Sequence, residues 1–528
     1  MPFSHPAIIW PAPGFPALLE PPESRLELIV ASCRSGTADV REWAEQIALC
    51  DRAGEMSIPL MPEEIVPAGP GDIEAHAAQF SLLPVARGLR YTRLRFQVPQ
   101  LRQNGTARTV QLFDLRVRGT VERARSVALF RQKKSVLNLA FVCDLHVAAL
   151  WDEIAAAVVR HAPSLGEALV DPHRRLERFV DEANTLTARG DLDLVVLGGD
   201  LVDHVHRGPR DGNNAYPATT NVDRFMTMLS RLEVPALAVP GNHDFRSYPR
   251  RPRSSGLEAV GIPAKSCGSL LRKAGLWDAW PLSRRDIDAL RITDAAGTPA
   301  LAGFLRQVAP AIDFCCSLAG VRLICLSSGC DILAKWREVE HARWGLLLRG
   351  LRTARYHPDS EGFSEDCLAR IRGWLQAGRG SALFFHAPLI AAGADARIQE
   401  RPARLDLEPQ HSLGARIRFE RRLQRAGLRC GVSFRNPGVI IQEIAAATGP
   451  AVTFSGHLHR AGALEIDRRT MKIRTIDPNQ AVAGRDKIPL LTAPALGQLD
   501  PEGRGRPGYL LARFVDGALV SVKQHDLD

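Results

Sequence analysis

From Ser135 onward the chain repeats one pattern: an apolar run, a loop rich in Gly, Asp, Asn or His, then a stretch with apolar residues at helical spacing. The runs are Leu137 to Val142, Leu192 to Leu197, Val234 to Val239, Val321 to Leu326, Ala382 to Phe385 and Ala451 to Phe454. Bounded by turn residues, such runs read as buried parallel strands. Helical periodicity covers 151–160, 172–189 and 221–232, the last behind Thr220 as an N-cap, and a further helix ends near Leu375. Strand, helix and strand in succession make βαβ units. The tail alternates at Ile466, Met471 and Ile473, then at Leu490–Leu491 and over 509–514, which predicts antiparallel strands completing a second sheet.

Residues 1–134 carry a different pattern. Short β-rich runs at 25–31, 89–98, 109–117 and 126–130 are divided by Pro, Gly and Asn, with one helical interruption around 39–49. A small β-sandwich domain is expected there, serving packing or partner docking, with Arg131 to Lys134 as the joint to a second domain over 135–528. Within the second domain, residues from about 245 to 310 read as a lid or cap inserted beside the active crevice.

Composition narrows the class. At 528 residues and 45% hydrophobic content the chain fills two cores. It has neither a signal-peptide pattern nor an apolar run long enough to span a bilayer, so it reads as soluble and cytoplasmic, without a membrane partner. The ten cysteines are scattered through apolar runs, as in Cys143, Cys315, Cys316 and Cys325, and read as buried free thiols. The net charge of +10 comes from basic residues spread among many acids, which makes nucleic acid a less favoured partner. The densest basic cluster, Arg246 to Arg253, follows the Gly241–Asp244 loop directly, and Arg250 is its candidate substrate contact.

The loops after the strands carry the chemistry. They read Asp144-Leu-His146, Gly198-Gly-Asp200, Gly241-Asn-His-Asp244, Phe385-His386 and Gly456-His457-Leu-His459. In an open α/β sheet, loops at the carboxyl ends of the strands converge on one crevice. Carboxylates, imidazoles and an amide oxygen then form a ligand set that suits Mn, Fe or Zn ions and contains no thiolate.

This ordered set resembles the calcineurin-like metallophosphoesterase superfamily, over about Ser135 to the end. The resemblance implies an α/β fold, a four-layer αββα sandwich, here preceded by the β-rich N-terminal domain. It also implies two metal ions: Asp144, His146 and His459 on one, Asn242, His386 and His457 on the other, and Asp200 bridging. A hydroxide held by both ions would attack phosphorus, with His243 as general acid toward the leaving oxygen and Asp203 orienting it.

Departures from subfamily patterns sharpen the expectation. Gly199-Asp-Leu-Val-Asp203-His204 lacks the Arg of the protein phosphatases, and Asp203 stands where purple acid phosphatases carry an iron-binding Tyr. The motif forms are closest to the class III cyclic-nucleotide phosphodiesterases, with His204 a candidate substrate contact. The expected function is a two-metal hydrolase of small phosphate esters, phosphodiesterase before phosphomonoesterase. A nuclease of the same superfamily and a non-catalytic metal-binding scaffold are the alternatives.

Overall fold

The computed structural model describes residues 6–22, 25–32, 37–68, 80–82, 90–98, 108–148, 151–161, 163–166, 169–202, 221–244, 304–305, 307–328, 363, 365–375, 380–392, 403–404, 422, 428–429, 437–498 and 506–527. The apolar runs of the second half form two sheets. In the first, Ala236–Ala238, Leu194–Leu197 and Val136–Val142 lie parallel, followed by antiparallel Gly508–Val515 and Ala518–Asp526. The second has nine strands around a parallel centre of Val321–Cys325, Ser381–Phe384, Ala451–Ser455 and Lys487–Thr492. Leu194–Leu197 and Ser381–Phe384 are buried at every position, which is why their sequences are apolar without alternation.

The sheets stack through aromatic side chains. Phe141 of the first lies 5.9 Å from Phe384 and 5.5 Å from Phe454 of the second, ring centroid to ring centroid. Helix Pro172–Arg189 packs Leu176, Phe179, Val180 and Ala183 into the core of the first sheet. It starts where the Asp171 carboxylate accepts the N–H groups of His173 and Arg174, and stops at Gly190 in the left-handed conformation. Helices Glu365–Leu375 and Pro437–Ala446 cover the second sheet over a separate core containing Ile371, Leu383, Phe385 and Ile441. Helix, sheet, sheet and helix are the layers that the motifs imply.

Ahead of this lies a β-rich region. A four-stranded sheet (Ala7–Trp10, Arg25–Ser32, Arg90–Gln97, Pro62–Ala68) faces a five-stranded one (Ala17–Leu19, Thr120–Phe130, Val110–Val117, Ile47–Cys50, Ser57–Pro59) over Leu28, Leu94, Phe96, Phe113 and Leu115. The helix expected to reach residue 49 ends at Ala44. Ile47–Cys50 is instead a strand paired with Val110–Val117, because that partner offers a ladder the local sequence does not reveal. A second correction concerns the tail: residues 509–514 join the first sheet beside Val136–Val142 and not the second, and Met471 sits in a turn at φ 54°. Strand Phe80–Leu82 pairs with Ala311–Leu318 at the edge of the nine-stranded sheet. Among the described residues no helix is long and apolar enough to cross a membrane.

Candidate metal centre

Each candidate ligand stands in a loop that follows a parallel strand, and at five of them the backbone turns sharply. Asp144, His146, Asp200, His457 and His459 all have positive φ, between 50° and 68°. Asp and His tolerate this left-handed region better than most side chains. The turns are fixed by backbone bonds between neighbouring loops: Asp144 N–H to Gly199 O (3.0 Å), and Leu145 and His146 N–H to Asp200 O (2.8 and 2.9 Å). The glycines of the motifs mark close crossings of these loops. A Cβ on Gly241 would lie 2.2 Å from Asp200 N, and one on Gly456 would lie 2.7 Å from the Asp144 carboxylate.

At one position four donor atoms meet. The Nε2 atom of His386 is 3.1 Å from each of Asp200 Oδ2, Asn242 Oδ1 and His457 Nδ1. The opposite nitrogen, Nδ1, is 3.0 Å from Gly198 O, which can only accept, so in the neutral ring the proton sits on Nδ1 and a lone pair on Nε2. Two oxygens and two ring nitrogens therefore converge, and one shared proton does not satisfy them. A cation does: ligands about 2.1 Å from an ion stand roughly 3.0–3.4 Å from one another.

Asp144, His146 and His459 form the neighbouring group. Asp144 Oδ1 is buried, with His459 Nε2 at 3.5 Å and His146 Nε2 at 4.0 Å, too far for good hydrogen bonds. His146 Nε2 is also 3.8 Å from Asp200 Oδ2, so Asp200 reaches toward both groups. The structure brings Asp144, His146, Asp200, Asn242, His386, His457 and His459, the residues expected as ligands, into one cluster whose donor set could hold two ions sharing one carboxylate. His243 joins them. Its N–H is donated to Asp200 Oδ1 at 2.7 Å, its Nε2 lies 3.8 Å from Asp200 Oδ2, and its ring meets that of His146 edge-on at 4.6 Å.

The electrostatics follow from burial and proximity. Burial alone would raise the pKa of Asp200, but the imidazoles of His386, His243 and His146 outweigh it and hold the carboxyl well below its ordinary range. Burial likewise works against the Asp144 carboxylate, and His459 and His386 reverse the effect. His457 is pushed down to about 3, first by burial and then by His386, so its ring is neutral at physiological pH. Asp244 is raised to about 7 by burial and by the charge of Asp200. Its carboxyl accepts the N–H groups of Gly241 (2.7 Å) and Val202 (3.0 Å), tying the Gly241–Asp244 loop to the strand end after Asp200.

Asp203, His204 and Arg250 lie outside the described residues, as does the insertion expected over about 245–310 apart from residues 304–305 and 307–310. The 495–497 turn supports the site without contributing a side chain, and sequence reasoning passes over it. Leu496 N–H binds Cys143 O (3.1 Å), Gly497 N–H binds Asp144 O (2.8 Å), and Arg175 holds Leu496 O (3.3 Å). Its one sequence signal is the Pro494 to Gly497 turn after an apolar strand.

Residues 137–309 match the family model for calcineurin-like phosphoesterases. The chain carries a metallophosphoesterase domain. The matched span holds Asp144, His146, Asp200, Asn242 and His243. The fold brings His386, His457 and His459 to them from beyond it. No curated protein matches the sequence. Among solved structures, one similar chain is GAP50, the anchor in the inner membrane complex of Plasmodium. It is 10% identical, with 75% of this chain and 90% of that chain covered, at a TM-score of 0.28, too low to define a shared fold. The phosphoesterase domain and its ligand cluster support a metal-dependent phosphoester hydrolase.

Proposed function

We propose that this chain is a dinuclear-metal phosphodiesterase acting on small phosphate esters, with His243 as general acid. The observation that carries the reading is the meeting of Asp200 Oδ2, Asn242 Oδ1, His457 Nδ1 and His386 Nε2 around one point, with Asp144, His146 and His459 beside it. Asp144, His146 and His459 would hold one ion, Asn242, His386 and His457 the other, and Asp200 both. Bound there, Mn, Fe or Zn ions would supply Lewis acidity toward a phosphate ester and acidify a water molecule near neutral pH.

The chain's own groups do the rest. Asp144, Asp200 and His386 are almost fully buried, whereas the side chain of His243 keeps 14% of its surface open, so it can face an incoming ester. In its protonated form His243 would give the Nε2 proton to the departing alkoxide and return to a neutral ring. Its Nε2 lies 3.8 Å from Asp200 Oδ2, beside the proposed ion positions. Asp203 would orient the imidazole, and His204 and Arg250 would contact substrate, by their places in the sequence. The absence of Arg after Asp203 supports a diester over a phosphoprotein substrate.

Metal-stripped protein, reloaded with Mn, Fe or Zn, is assayed on bis(p-nitrophenyl) phosphate and p-nitrophenyl phosphate beside an Asp200→Asn control. Metal-dependent turnover that favours the diester and vanishes in the control is the expected result. His243→Ala should slow substrates with poor leaving groups by about 100-fold or more, and aryl esters far less. Two bound ions without cleavage of either ester would refute the hydrolase reading, and equal losses on both leaving groups would refute the acid.

A further inference from the structure

The N-terminal region sends one turn into the phosphoesterase sheets. Ala12 and Phe15 exchange backbone hydrogen bonds at 3.0 Å, with Gly14 between them. Gly14 O accepts the N–H of Ala238 at 2.8 Å, and Gly14 N–H is donated to Val308 O at 2.8 Å. Among the described residues Ala236–Ala238 is the outermost strand of its sheet, and this contact occupies part of its outer edge. Val308 leads into Ala311–Leu318 of the other sheet. Phe15 stacks on Phe314 with ring centroids 4.0 Å apart and planes 19° from parallel, and it is buried in the core between the sheets.

We infer that the Ala12–Phe15 turn is a positioning element of the metal centre, setting Ala238 and through it Asn242 and His243. The inference rests on the two-ion reading of the site. Two residues separate Ala238 from Gly241, and the path between them has no slack. Val239 N–H is bound to Leu197 O on the strand's other side, Gly241 touches the backbone of Gly199 and Asp200, and His243 N–H is fixed on Asp200. A shift at Ala238 therefore moves Asn242, since close-packed loops transmit displacement. Asp144 and His146 meet this path only at one remove, through the backbone of Gly199 and Asp200, so the ion assigned to them should feel the change less.

Gly14 is the point at which to disturb the turn. A Cβ there would lie 2.8 Å from Val308 Cγ1, 2.9 Å from Ala238 Cβ and 3.0 Å from Val308 O, so Gly14→Ala must push Ala238 and Val308 apart. Titration of the metal-stripped full chain with Mn2+ in a calorimeter should show one of the two ions weakened about tenfold or more, and the other within about twofold of wild type. Adding Val308→Ala, which removes the nearest contact, should recover most of the loss. Leu94→Ala, in the separate N-terminal core, lowers stability without reaching Ala238 and should leave both ions as in wild type.

A readout independent of metal accompanies this. Amide exchange of the metal-free protein should rise about tenfold over 236–244 in Gly14→Ala and stay unchanged over 194–200. Equal weakening of both ions, or unchanged affinities with unchanged exchange, would overturn the inference. If Gly14→Ala does not fold, Phe15→Leu, which keeps an apolar side chain but loses the stack, should show the same one-ion loss at smaller size, and its absence there overturns the inference too. Wild-type protein that binds no Mn2+ would refute the proposed function, while the exchange comparison would still decide whether the turn holds the loop.

Discussion

Gly497 offers a test of how far the metal centre depends on backbone that carries no ligand. A Cβ at this position would lie 1.9 Å from Leu145 O and 2.6 Å from its carbonyl carbon, both backbone atoms without freedom to swing away. Carbon and carbonyl oxygen come to rest near 3.3 Å, so Gly497→Ala has to withdraw the turn by roughly 1.4 Å. That movement breaks the bonds from Gly497 N–H to Asp144 O and from Leu496 N–H to Cys143 O. Each leaves buried groups unsatisfied at about 1–3 kcal/mol, so the variant should lose about 2–6 kcal/mol. Urea unfolding of the metal-free variant beside wild type gives the stability, and metal analysis after dialysis gives the occupancy. Because Asp144 moves with its carbonyl, the ion assigned to Asp144, His146 and His459 should be depleted first. A variant with wild-type unfolding midpoint and two retained ions would refute the reasoning.

Two further outcomes follow from the same coordinates. Gly373 lies in helix Glu365–Leu375 with nothing within 4 Å of a built Cβ, so Gly373→Ala should raise the urea midpoint by the equivalent of about 0.5–1 kcal/mol without altering metal content. The pH dependence of metal-free stability combines opposing groups. His457 is depressed from 6.5 to about 3, so its contribution is lost as pH falls below about 6.5, whereas Asp244 is raised from 3.8 to about 7, so its contribution is lost as pH rises from about 4 to 7. The two should nearly cancel between about pH 4 and 6.5, and below that Asp144, Asp200 and His457 all destabilise together. Asp244→Asn removes one side of the balance, so relative to wild type its stability should climb as pH rises across that window in urea melts. Parallel profiles for the two proteins would sink the assignment.

Side-chain chemistry in the site is legible in the sequence because every ligand follows an apolar strand and differs sharply from it. Asp144, Asp200, Asn242, His386 and His457 stand out for that reason. Contributions made by backbone are not legible in the same way. Leu496 and Gly497 hold Cys143 and Asp144 with two N–H groups, and Gly14 holds Ala238 with a carbonyl, yet their side chains advertise nothing. Pairing partners are hidden for a related reason. Alternation along 509–514 tells which residues face inward, but the choice of Val136–Val142 as neighbour is made by packing far along the chain. Ile47–Cys50 continues a helical period from Trp43, and only the ladder with Val110–Val117 turns it into a strand.

Five candidate ligands at positive φ pose a question about design as well as geometry. A left-handed residue with a side chain costs about 1–2 kcal/mol, so the centre carries strain of several kcal/mol before any ion arrives. What holds it is the set of backbone bonds among the loops, together with glycines small enough to let the loops cross. The strain has a use: a strand that ran on straight would send alternate side chains to the faces of the sheet, whereas a sharp turn at its end points Asp144 and His146 over the end, where the other loops arrive. Residue type and conformation are then selected together, since Asp, Asn and His are both the candidate ligands and the side chains that accept left-handed backbone most readily. This decides how the bridging position has to be probed. Asp200→Ala would remove charge, turn preference and the acceptor for His243 N–H at once, so any loss would be ambiguous. Asp200→Asn keeps the turn preference and an oxygen for His243 N–H while deleting the charge, so loss of metal in that variant reports the carboxylate itself.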